Sequence, residues 1–200
     1  MQTLKEEVKK RILDAGKKRF RADGFDKASM KDIANDAGIS AGNIYRYFLT
    51  KSHLLDEILN DLEVELKDFL NAIPEEYESL KGNMLFKLIS DKIAELYENK
   101  EAEVKILFNC REQKQFIIFR EKMLGLLSKK IEAIGRSIDE RFGDEVLSAA
   151  IARSLFEGLA YIVCTNDGNI SELKKKMYIY TELMVLDLDK RVLDIVKRVK

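Results

Sequence analysis

Two short helices joined through a single glycine, behind a longer first helix, form the feature that most narrows what this chain can fold into. Ser29-Met30-Lys31-Asp32 reads as a helix start, with Ser29 as cap and Asp32 three residues on. Ile33, Ala34 and Ala37 supply the buried face of that helix, and Gly38 ends it. Ser40 then offers its hydroxyl to the free amides of a new helix. Ile39 and Ile44 stand at the spacing of a hydrophobic staple, which fixes how the chain enters it.

The second of the pair has an odd composition for a helix that only packs. Ala41, Gly42 and Asn43 fill its first turn, and a glycine inside a helix costs roughly 1 kcal/mol relative to alanine. The gain is a backbone that another surface can approach closely. Tyr45, Arg46 and Tyr47 follow, three hydrogen-bond donors, one of them charged. Small residues followed by long donors suit a helix end pressed into a groove lined with phosphates and base edges. The competing reading is a short core helix that happens to contain a glycine.

Ahead of this pair, Leu4, Val8, Ile12, Ala15 and Phe20 recur at helical spacing and predict a helix from Thr3 to Asp23, stopped at a left-handed Gly24. Behind it, Thr50 is the next cap, and Lys51 sits in a first turn where a cation opposes the helix dipole. That placement makes sense beside a bound phosphate; the alternative is an exposed lysine that costs a few tenths of a kcal/mol. From Leu54 a dense apolar period predicts one long helix ended by Pro74, the only proline. Residues 1–53 and 54–200 are therefore read as two domains whose boundary lies inside a helix.

Charge supports an unequal division of labour. Residues 1–53 hold 12 Lys/Arg against 7 Asp/Glu, a balance of +5, whereas residues 54–200 hold 23 against 28, a balance of −5. A basic end on an acidic remainder suggests that one end meets a polyanion. No apolar run approaches the ~20 residues of a membrane span, and no leader pattern is expected from the charged opening residues. Cys110 and Cys164 stand far apart, as in reduced cytoplasmic proteins. His53, the only histidine, argues against a zinc site or a histidine-dependent catalytic centre. The Lys- and Glu-rich surface, with charged residues at 35% of the chain, resembles proteins from hot environments.

The remaining periodicity is helical throughout. Helices are expected over Leu85–Leu96, Val104–Phe108, Gln113–Phe142, Val146–Cys164 and Glu172–Val199, so the fold class is all-α. Phe86, Ile89, Phe108, Phe116, Phe119, Phe156 and Tyr161 are apolar and aromatic positions able to surround a cavity. Aromatics at helical spacing also occur as ordinary core, and an apolar or weakly polar ligand is the expectation if they do not.

From Ile12 to Leu55 the chain resembles the amino-terminal DNA-binding domain of the TetR family of transcriptional regulators. The pattern Gly-Ile-Ser-x-Gly-x-Ile-Tyr-x-Tyr-Phe-x-x-Lys from Gly38 to Lys51 carries the likeness, with Phe20, Gly24, Ser29, Ile33, Ala34, Ala37 and Leu54 around it. Asn43 stands where a smaller residue is common, and Gly16 where alanine is expected. The resemblance implies a three-helix helix-turn-helix domain joined by a long helix to a larger ligand-binding and dimerisation domain. It implies a ligand-responsive regulator, most often a repressor, that binds a palindromic double-stranded operator as a homodimer and needs no cofactor or metal. Ser40, Ala41, Gly42, Asn43, Tyr45 and Arg46 would approach the bases, while Ser29, Met30, Lys31, Tyr47 and Lys51 would hold phosphates. A second copy would pair through helices near 144–165 and 171–198, and a small effector would release the DNA. A helical enzyme with a hydrophobic active site, or a protein-interaction scaffold, are the other classes; nothing groups carboxylates or tyrosines at catalytic spacing.

Overall fold

The computed structural model describes residues 2–73, 84–109, 114–185 and 187–198. Every regular element among them is helical. Pro74, Cys110, Gln113 and Val199, and the side chains of Leu85 and Phe86, lie outside the described residues.

The amino-terminal elements follow from their caps. Helix α1 runs Gln2–Asp23 and stops at Gly24, whose φ of 78° is the left-handed value that glycine takes without strain. Helix α2, Met30–Asp36, is capped by Ser29, and Gly38 (φ 68°) turns the chain toward the next element. Helix α3 is only Ala41–Ile44, shorter than the capped segment to Phe48 suggests. The amides of Tyr47 and Phe48 both reach the Ile44 carbonyl at 3.0 Å, so the helix tightens and ends as Phe48 turns into the core. Helix α4 follows over Lys51–Ala72, and Thr50 caps it by accepting the His53 amide at 3.0 Å.

Two compact units result. The first comprises Met1–Glu65 with Lys100–Ile117, and the second Leu66–Asn99 with Ile118–Lys200. In the first, Ile12, Phe20, Ile33, Ile44, Phe48, Leu54 and Leu62 are buried to 2% exposure or less; each such side chain contributes about 1.5–3 kcal/mol. Gly16 explains its departure from the expected alanine. A Cβ there would stand 3.0 Å from Ile58 Cδ1 and 3.1 Å from Leu54 Cδ2, so the glycine marks where α1 crosses α4 closely.

Helix α5, Met84–Asn109, joins two segments expected as separate helices and bends at Lys100 (φ −138°, ψ 44°). Its first half belongs to the second unit and its second half to the first. There Glu65 accepts from Lys100 at 2.6 Å, Glu103 pairs with Lys17 at 2.6 Å, and Glu101 pairs with Arg21 at 3.0 Å. These half-exposed pairs are worth at most about 1 kcal/mol each. Their use is to align three helices.

Helix α6, Lys114–Ile138, enters the second unit at Ile118, and that unit continues with a 3-10 turn over Glu140–Phe142 and α7, Glu145–Thr165. The Arg141 guanidinium and amide hold the Asp139 carboxyl down to about 2. By length and composition α7 is apolar enough to cross a membrane, against the expectation that no stretch is, although core helices pass the same test. The last expected helix is interrupted: α8 is Ile170–Val185 and α9 is Leu188–Arg198. Between them Asp187 takes φ 52°. Aspartate tolerates this conformation better than most residues; its carboxylate accepts from Lys190 and its carbonyl from the Arg191 amide, both at 2.9 Å.

Helices α7 and α8 are tied where Tyr180 donates to the Ser154 carbonyl at 2.8 Å across Gly158. Partial burial pushes the Tyr180 phenol up from its ordinary value. The unfolded chain therefore loses this proton first. The associated stability is intact below about pH 10 and falls as pH rises through the higher folded value. Thermal unfolding of wild type and Tyr180→Phe across the alkaline range should show a shallower decline for the variant; parallel declines would remove Tyr180 as the source.

Candidate nucleic-acid interface

The start of α3 is built to be approached. Ser40 is extended (φ −70°, ψ 148°), and its hydroxyl accepts the Asn43 amide at 3.3 Å. Nothing lies within 4 Å of the point a Cβ on Gly42 would occupy. Tyr45 is 49% exposed, Arg46 is exposed, and Ala41, Asn43 and Tyr47 are half-buried. Ile44 and Phe48 face the core. One turn is therefore anchored from behind by apolar side chains and open in front.

Charge around it is sorted. Arg19 grips Asp36 at the end of α2 with two bonds, 2.6 and 2.9 Å, and reaches Asp23 at 3.4 Å. The hydrogen bond from Arg19 is the main reason the Asp36 carboxyl lies below its usual range. Lys9 pairs with Glu57 at 2.5 Å, and that hydrogen bond raises the lysine. Lys31 and Arg46, by contrast, are exposed and make no hydrogen bond or ion pair with the described residues.

Three residues expected at phosphates are placed differently from the rest. Met30 is buried, so its side chain belongs to the core. The Ser29 hydroxyl accepts the Asp32 amide at 3.1 Å and donates to the Asp32 carboxylate at 2.5 Å, which uses it locally. Lys51 turns inward. Its Nζ donates to the carbonyls of Phe25 (2.6 Å), Asp26 (3.1 Å) and Ala28 (2.9 Å), and lies 4.4 Å from the centre of the Phe25 ring. Those three bonds match the three donors of an ammonium group. The lysine thus clamps the connection between α1 and α2, a role that reading along the sequence missed because its partners lie 23 to 26 residues away.

The residues expected around a ligand do not share one unit. Phe108 and Phe116 fall in the first; Ile89, Phe119, Phe156 and Tyr161 fall in the second. Ile89, Phe108, Phe116 and Phe119 are buried and Phe156 half-buried. Tyr161 is 66% exposed, which places it on an outer face of α7 and away from any enclosed space in a single chain. Phe86 lies in α5, but its side chain is outside the described residues.

Comparison with known proteins agrees with this geometry. Residues 12–58 match the sequence profile of the bacterial regulatory proteins of the tetR family. The HTH-type transcriptional regulator UidR of Escherichia coli K12 is 39% identical over 74 residues, covering 36% of this chain; the match spans 38% of that relative's length. An HTH-type transcriptional regulator of Haemophilus influenzae is 28% identical over 180 residues, 78% of this chain and 96% of that protein. In fold, the chain is similar to SmeT of Stenotrophomonas maltophilia, the repressor of the multidrug efflux pump SmeDEF. The TM-score is 0.65 at 16% identity, over 90% of this chain and 91% of that one. The capped helix pair and the open α3 turn both lie within residues 12–58, the part of this chain that is similar to the bacterial regulatory proteins of the tetR family.

Proposed function

We propose that this protein is a ligand-responsive, DNA-binding transcriptional regulator, working in the cytoplasm as a repressor and binding a palindromic operator as a homodimer. The observation that carries the reading is the open first turn of α3. Gly42 leaves its front empty, and Tyr45 and Arg46 extend from it exposed. Ser40, Ala41, Gly42, Asn43, Tyr45 and Arg46 approach base edges in the major groove. Lys31 and Tyr47 meet phosphates, joined by the main chain at the start of α2, while Lys51 holds the fold.

Pairing with a second copy is supported by apolar side chains left in solvent on α7 and α8: Val146, Leu147, Tyr161, Tyr178, Ile179 and Leu183 are each exposed. A two-fold pair through these helices would present two α3 turns to successive major-groove faces, ~34–36 Å apart. The effector is proposed to be small and largely apolar, meeting side chains such as Ile89, Phe119 and Phe156. The buried Ser90 Oγ, without a hydrogen-bond partner among the described residues, is available to a weakly polar group. Effector binding acts by favouring an arrangement whose two reading turns no longer match the groove spacing.

Selection of bound fragments from random duplex DNA tests the proposal, and a recovered palindrome is the expected result. On that palindrome Arg46→Ala should cost about 1–3 kcal/mol if the arginine reads a guanine. If it touches phosphate, the loss is uniform across sequences and the salt dependence shallower by about one. Purified protein that retains no duplex at low ionic strength would sink the proposal.

A further inference from the structure

The cations of the first unit fall into two groups. Lys9, Lys17, Arg19 and Arg21 face carboxylates, and Lys51 faces main-chain carbonyls. Arg11, Lys31 and Arg46, like Lys5, Lys10, Lys18 and Lys27, make neither hydrogen bond nor ion pair with the described residues. Within the second group Arg11 has a distinctive position. Its Nη1 lies 3.5 Å from the point a Cβ on Gly38 would occupy, which sets the guanidinium against the turn from α2 to α3. Ser40, which caps the reading turn, is two residues further along.

Local electrostatics do not account for that placement. Glu7 and Asp14 stand four residues before and three after Arg11 on α1, the spacings at which a helical arginine finds a carboxylate. It pairs with neither among the described residues. Holding a long side chain in one place forgoes rotamer freedom, and here no acidic partner offsets it. At 3.5 Å the guanidinium stands at ordinary contact distance from the Gly38 turn (φ 68°), and its planar fork of donors stays exposed.

We propose that Arg11 is a DNA-backbone contact. Its guanidinium clasps a phosphate beside the α2–α3 turn and so sets how deeply Ser40 to Arg46 enter the groove. A phosphate presents oxygens at the spacing of the fork, which an ammonium group cannot match. The proposal rests on the regulator reading given above. The rival role is purely structural: a cation at the carboxy-terminal end of α2 complements the dipole of that helix.

The test compares wild type, Arg11→Ala, Arg11→Lys, Arg46→Ala and, as a charge control on α6, Lys129→Ala. Affinity is measured for the selected duplex and for a random-sequence duplex across a salt series, and melting temperature alongside. Arg11→Ala should lose roughly ten-fold in affinity on both duplexes, since one charge-assisted contact is removed. Its salt dependence should be shallower by about one. Its melting temperature should match wild type, Arg11→Lys should keep the salt dependence while losing part of the affinity, and Lys129→Ala should change nothing. A lowered melting temperature with unchanged salt dependence in both Arg11 variants overturns the proposal in favour of the structural role, and so does wild-type behaviour throughout. If wild type binds DNA and Arg46→Ala impairs it, such an outcome removes only Arg11; if wild type binds neither duplex, the regulator reading itself has failed.

Discussion

Replacing Lys51 with alanine lowers stability by about 2–4 kcal/mol, because one side chain closes three main-chain acceptors at once. The carbonyls of Phe25, Asp26 and Ala28 converge on its Nζ at 2.6, 3.1 and 2.9 Å. Hydrogen bonds from a charged donor contribute about 1.5–3 kcal/mol each in favourable cases. The three share one ammonium, so they are far from additive. Contact with the Phe25 ring at 4.4 Å adds about 0.5–1 kcal/mol. Arginine should rescue little of this, since a planar fork cannot aim three donors at three separate carbonyls. Denaturant midpoints for wild type, Lys51→Ala and Lys51→Arg provide the measurement. Should Lys51→Ala keep wild-type stability yet bind duplex DNA with a salt dependence shallower by about one, the lysine belongs at a phosphate, as its place in the first turn of α4 suggests.

Gly135→Ala has the next largest expected effect, about 2 kcal/mol of destabilisation. Near the end of α6, a Cβ at Gly135 would overlap the Phe142 carbonyl oxygen and stand 2.9 Å from its carbon. Both atoms belong to the main chain of the turn that doubles back after α6, and that turn is pinned by the Asp139 amide bonding to the Gly135 carbonyl at 3.0 Å. A rotamer change cannot relieve the overlap. Alanine's intrinsic helix preference of about 1 kcal/mol offsets only part of the cost. Gly125, on the same helix, has nothing within 4 Å of its Cβ position, so Gly125→Ala should stabilise by up to about 1 kcal/mol. Equal shifts for the two variants would show that the turn yields and the overlap is harmless.

How much of this could be read along the chain depended on distance in sequence. Ser29, Ser40 and Thr50 cap helices with partners three residues away, and Gly24 and Gly38 take the left-handed backbone their positions imply. Such signals are local, so the helix pair was legible. Lys51 was not, because its acceptors are brought to it only when α1 packs against α4. The bend in α5 at Lys100 and the break at Asp187 leave no proline or glycine to announce them. Phe108, Phe119 and Tyr161 each stand at helical spacing on their own helix, α5, α6 and α7, yet two are buried and one faces solvent. Spacing along one helix does not say which neighbour covers it.

The shared helix α5 has a practical consequence for anyone who wishes to graft this reading head onto a foreign sensor. The head is discontinuous in sequence. A chimera cut once within α4 would discard Lys100, Glu101 and Glu103, the partners of Glu65, Arg21 and Lys17. It would also discard the buried Val104, Ile106 and Leu107. Transplants should therefore carry residues 100–117 with the amino-terminal segment, or supply a recipient strut with acidic residues in the same register.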